Sequence, residues 1–104
     1  PDTKIWTVTC TIANNGYLLT TTDALPDTGA GGYIFISRDF AKSASKSLSP
    51  QTVKDFIPPR VAGFDGKATQ IIDVTLVMDL KIEGREIKKV PFLVVGMKHD
   101  IILG

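Results

Sequence analysis

A mainly β, single-domain fold with one or two short helices is what this 104-residue chain predicts. Three observations lead there. Runs rich in β-branched residues alternate apolar and polar positions, Asn-Gly, Asp-Gly and Glu-Gly pairs separate such runs, and one clear stretch carries helical spacing. The length suits one domain of roughly 100–150 residues, with a core of modest size.

Lys4 to Ile12 reads as the first strand, through Ile5, Thr7, Val8, Thr9, Thr11 and Ile12. Asn14-Asn15-Gly16 marks a tight hairpin turn, because Asn and Gly accept the positive φ such turns need. Tyr17 to Thr22 is the returning strand, and Ala24 to Pro26 leads into a loop, Asp27-Thr28-Gly29-Ala30. Tyr33 to Ser37 is the next strand. From Ser37 to Lys46 the pattern changes: Phe40, Ala44 and Leu48 recur every fourth residue, which predicts a short amphipathic helix. Ser49-Pro50 reads as an N-cap with proline in the first turn, opening a brief helical turn through Phe56 that Pro58-Pro59 stops. Arg60 to Ile72 is a second hairpin around Phe64-Asp65-Gly66. Thr75 to Ile82 and Glu86 to Val95 are strands joined by Glu83-Gly84-Arg85, with Val74, Leu76, Met78, Leu80 and Ile82 on one face. Gly96 to Asp100 is a turn, and Ile101-Ile102-Leu103 a last apolar run.

Composition narrows the function. With 43% apolar residues the chain folds, and with 12 basic against 11 acidic side chains its net charge is +1, so neither nucleic acid nor an anionic membrane is an expected partner. Lys81, Arg85, Lys88 and Lys89 interleave with Glu83 and Glu86, as on the solvated face of a hairpin. Cys10 is the one cysteine, so no internal disulfide forms; in a strand pattern it is a small packing residue. His99 is the one histidine, and a metal site is not expected. Gly29 to Gly32 lacks the Gly-Lys-Ser/Thr ending of a phosphate loop, so no nucleotide is expected, and no cofactor of any kind. No apolar run approaches the ~20 residues of a membrane span, and there is no basic start followed by an apolar block. The expectation is an intracellular, non-secreted protein, and the chain from Pro1 to Gly104 reads as a piece excised from something longer. Asp23 reads as a surface or turn residue, Asp65 and Asp100 as turn stabilisers, and Trp6 as a strand packing residue.

Asp27-Thr28-Gly29 occurs once. Alone it is also an ordinary turn, since Asp and Gly favour turns. Its order among the other elements is more specific. Ala24-Leu25-Pro26-Asp27-Thr28-Gly29-Ala30 is followed by Gly63-Phe64-Asp65-Gly66-Lys67, then by Ile87 to Val95, then by His99-Asp100-Ile101-Ile102-Leu103-Gly104. This series resembles the retropepsins, the single-lobe aspartic proteases of retroviruses and LTR retrotransposons. Gly32 to Ile36, Gly63 to Lys67 and Val90-Pro91-Phe92-Leu93 look most like gypsy-class elements of fungi.

The resemblance covers nearly the whole chain as one domain, 1–104, and implies a closed or partly open β-barrel. Asp27 matches the catalytic aspartate. Thr28 matches the hydroxyl that bonds across a two-fold axis, Gly29 the residue whose carbonyl meets substrate backbone, and Ala30 a small residue under the site. Gly63, Phe64, Asp65 and Gly66 match the tip of a flap, about 60–72, that closes over substrate. Ile102, Leu103 and Gly104 match the segment packed beneath the catalytic loop. The chemistry needs two carboxylates about 3 Å apart that share one proton, one activating water and the other donating to the scissile carbonyl. One motif per chain therefore implies a homodimer acting on an extended peptide of a polyprotein, with Ile34, Val61, Ile72 and Ile102 as candidate apolar lining. Two departures stand out. Pro26 replaces an aliphatic strand residue, removing a ladder N–H unless that N–H faces outward. The 104 residues end before the helix and terminal strand with which family members usually continue. A peptide-binding or scaffolding module without cleavage, and a cellular retroviral-like protease, are the competing readings.

Overall fold

The computed structural model describes residues 6–54, 72 and 74–104. Seven strands and one α-helix follow in order: β1 (Val8–Asn14), β2 (Tyr17–Pro26), β3 (Ile34–Ser37), α1 (Arg38–Leu48), β4 (Gln51–Lys54), β5 (Val74–Ile82), β6 (Arg85–Val95) and β7 (Ile101–Leu103). A 3₁₀ turn, Thr28–Ala30, lies between β2 and β3. The sheet runs β1-β2-β7-β3-β6-β5-β4, and a further pairing of β1 with β5 closes the first six into a barrel, with β4 added at its margin. The mainly β barrel expected from the sequence is the fold found.

Turn chemistry sets the hairpins. Asn15 and Gly16 take φ of 53° and 81°, and Glu83 and Gly84 take 49° and 75°. Two successive positive φ values match the right-handed twist of the strands they join. In β5 the even positions Leu76, Met78 and Leu80 are buried, as the alternation predicts. With Ile12, Ala24, Ile36, Phe92 and Ile101 they form the larger core, which α1 covers through Ala41, Ala44 and Leu48. Ser37 caps α1, its Oγ accepting the Phe40 N–H at 3.0 Å. The far end of the helix is held by the first hairpin: the side-chain amides of Asn14 and Asn15 both donate to the Leu48 carbonyl, at 2.9 and 3.1 Å. These bonds satisfy a carbonyl the helix itself leaves unpaired.

Three expectations change. Ser49 does not open a helix. It ends α1 in the left-handed region, φ 47° and ψ 56°, its N–H donating to Ser45, and Gln51–Lys54 is a strand paired with β5. Trp6 lies before β1 and is 78% exposed rather than packed. Asp23 is a half-buried residue within β2. The hairpin expected over 60–72 lies outside the described residues apart from Ile72, which is buried beside Leu93 and Val95. The basic stretch does sit on a solvated hairpin: Lys88 pairs with Asp79 and Glu86, and Lys81 with Glu86. The Lys89 N–H, with Lys88 beside it, holds the Asp79 carboxyl below its usual range.

Cys10 is buried in the larger core. Burial, and then the nearby Asp100 carboxylate, push its thiol from an ordinary 9.0 up to about 11. A disulfide reagent at pH 8 is expected to leave Cys10 unmodified in the native chain and to titrate it once the chain is unfolded in urea; rapid modification of the native chain would contradict this burial. Because the folded value lies above the unfolded one, this contribution to stability is complete below about pH 9 and is lost as the pH rises toward 11. Among the described residues, no helix is long and apolar enough to cross a membrane.

Candidate active site

The site is assembled where β2 ends. β7 is inserted between β2 and β3, parallel to β2 (Ala24 with Ile101, Leu25 with Ile102, Pro26 with Leu103) and antiparallel to β3 (Ile34 with Leu103, Phe35 with Ile102, Ile36 with Ile101). The chain leaves β2 at Asp27, whose N–H donates to the Leu103 carbonyl at 2.7 Å. Asp27 keeps an extended backbone, φ −146° and ψ 103°, and its Oδ1 accepts the Gly29 N–H at 2.9 Å. It thus caps the 3₁₀ turn with the carboxylate at the exposed rim of the barrel. The Ala30 N–H closes the turn on the Asp27 carbonyl at 3.0 Å, and the Ala30 side chain is buried beneath it. Gly31 and Gly32, with φ of 69° and 86°, then reverse the chain into β3. The Gly104 N–H donates to the Tyr33 carbonyl at 2.9 Å, so the end of β7 is bonded to both sides of the loop.

Pro26 fits this arrangement. In a parallel ladder alternate residues present their N–H to a given neighbour. Asp27 donates to Leu103, so the nitrogen of position 26 points away from β7 and no bond of that ladder is lost.

Asp27, Gly29, Ala30, Leu103 and Gly104 are therefore brought together in one loop-and-strand unit, with Ile102 half-buried on β7 and paired with Leu25 and Phe35. Thr28 opens the 3₁₀ turn. Ile34, a candidate for the apolar lining, is half-buried on β3 and packs against the larger core. Ile72 is buried against Leu93 and Val95, while Val61 and the flap residues Gly63, Phe64, Asp65 and Gly66 lie outside the described residues.

Asp23 does not supply a second carboxylate to Asp27. Four residues along an extended strand separate the two by about 13 Å. Both Asp23 oxygens are also engaged elsewhere, Oδ1 with His99 Nδ1 at 2.7 Å and Oδ2 accepting the Asp100 N–H at 3.1 Å. Sequence reasoning missed this contact, which joins residues 76 apart and has no local signature.

Chemically, the loop offers one solvent-facing carboxylate, oriented by the Gly29 N–H. A carboxylate so placed can take a proton from water; completing peptide hydrolysis requires a second acid to protonate the developing oxyanion. No curated protein and no solved structure matches the chain. A family model described as aspartyl protease matches residues 8–104, a span that includes the whole loop-and-strand unit around Asp27. The chain belongs to the aspartyl protease family.

Proposed function

We propose that this chain is an aspartic endopeptidase that works as a symmetric homodimer, cutting extended peptide segments of a retroelement polyprotein. The observation that carries this reading is the single Asp27 carboxylate at an exposed rim, with Asp23, its nearest acid in the sequence, engaged by His99 and the Asp100 N–H instead. A two-fold axis beside the loop would bring a second Asp27 to the same water, and the pair would share one proton. The ionised member would accept a proton from that water as it attacks the scissile carbonyl, while the neutral member donates to the carbonyl oxygen. Substrate would lie extended across the paired loops, bound by main-chain hydrogen bonds.

The test is hydrolysis of a peptide library at mildly acid pH, with and without an aspartic-protease inhibitor, alongside sedimentation across the same concentrations. Specific activity is expected to rise with protein concentration as dimer forms. It should also fall on both sides of an acid optimum, because one carboxyl must hold the shared proton while the other is ionised. A chain that sediments as a dimer yet cuts nothing would overturn the proposal.

A further inference from the structure

We propose that Asp23 and His99 are positioning residues that clip the start of β7 to β2 and thereby fix the register that seats Asp27; this rests on the catalytic reading above. β7 is only three residues long, yet it holds the loop on both flanks. A strand this short has few side chains with which to specify its own alignment, and a slip by one residue would turn Ile101 and Ile102 to opposite faces. It would also move the Leu103 carbonyl away from the Asp27 N–H.

What stands at the entry to β7 is a ring of polar bonds. Asp23 Oδ1 meets His99 Nδ1 at 2.7 Å, and Asp23 Oδ2 accepts the Asp100 N–H at 3.1 Å. Thr21 Oγ1 donates to Asp100 Oδ2 at 2.6 Å and accepts the Asp23 N–H at 2.9 Å. The Asp100 carbonyl accepts the Ser37 N–H at 2.9 Å, which ties the same point to the end of β3. Two carboxylates, one imidazole and one hydroxyl are thus satisfied in a single alignment of β2, β3 and β7. A one-residue shift would break the set together.

This differs from an ordinary surface ion pair, which contributes little. The His99 and Asp23 side chains are 24% and 39% exposed, and a backbone N–H of the β7 entry takes the second oxygen. The imidazole can donate from Nδ1 whether neutral or charged, so the clip rests on donor geometry rather than on the charge of His99.

The test combines amide hydrogen exchange with peptide hydrolysis on the same purified chain. His99→Ala removes the donor. It is expected to speed exchange at the Asp27 and Gly104 amides about tenfold, with the β5–β6 amides unchanged, and to lower kcat about tenfold with KM within about twofold. His99→Asn, whose side-chain amide can occupy the place of Nδ1–H, is expected to restore exchange and kcat to within about threefold of wild type. Asp23→Asn, isosteric but with a donor in place of one acceptor, should speed the same two amides without general loss of protection. Wild-type exchange at Asp27 and Gly104 in His99→Ala, or equal impairment in His99→Ala and His99→Asn, would overturn the clip. A wild-type chain that hydrolyses nothing counts against the proposed reaction instead, and the exchange rates then decide the clip alone.

Discussion

Asp27→Asn is expected to lower kcat for peptide hydrolysis by a factor of about 10³ or more, since acid–base groups of this kind contribute about 10²–10⁴-fold and the substitution removes both members of the pair. The fold should persist. Asp27 Oδ1 accepts the Gly29 N–H and so caps the 3₁₀ turn. Asparagine keeps that oxygen and is as good a cap, whereas alanine gives up about 1 kcal/mol there. Thermal unfolding should therefore separate the two variants although both are inactive: Asp27→Asn melts with wild type and Asp27→Ala melts lower. Mixing adds a direct reading of the dimer. At equal amounts of wild-type and Asp27→Asn chains, random pairing leaves half of the wild-type chains in wild-type pairs, so activity per wild-type chain should fall about twofold. Unchanged activity on mixing would mean that each chain acts alone, and activity retained by Asp27→Asn would end the mechanism.

The strands were legible because burial on one face forces a two-residue period, and β5 shows it in Leu76, Met78 and Leu80. The Asp-Thr-Gly loop was legible as a motif, and the resemblance placed Ile102, Leu103 and Gly104 beneath it, but the individual bonds that hold it were not legible. The bond from Asp27 to Leu103 spans most of the chain, and nothing near either residue announces it. The same holds for Asp23 with His99, and for the asparagines of the first turn on the Leu48 carbonyl. Ser49-Pro50 misled for a local reason. Serine before proline fits a helix start, but proline is also common just past a helix end, where it cannot continue the helix. The apolar repeat of α1 ends on Leu48, and Ser49 in the left-handed region marks a finish rather than a beginning.

Gly104→Ala is expected to cost the fold about 3 kcal/mol, a fall of roughly 10–20 °C in Tm for a domain of this size. A methyl at position 104 would stand 2.8 Å from the Tyr33 nitrogen and 2.9 Å from the Gly32 nitrogen, and closer still to the Tyr33 carbonyl oxygen. All three are backbone atoms in the link from the 3₁₀ turn to β3, so no side chain can swing aside. Either β7 or the loop must move, and the Gly104 bond to Tyr33 and the Leu103 bond to Asp27 lie on the path of that movement. Activity measured well below the new Tm should consequently fall further than the unfolded fraction accounts for. Gly96→Ala is the matched comparison. There a methyl would meet the end of the flexible Arg38 side chain, which can turn away, and the expected change is within about 0.5 kcal/mol. Equal melting temperatures for the two alanine variants would show that β7 does not press on the catalytic loop as closely as its hydrogen bonds imply.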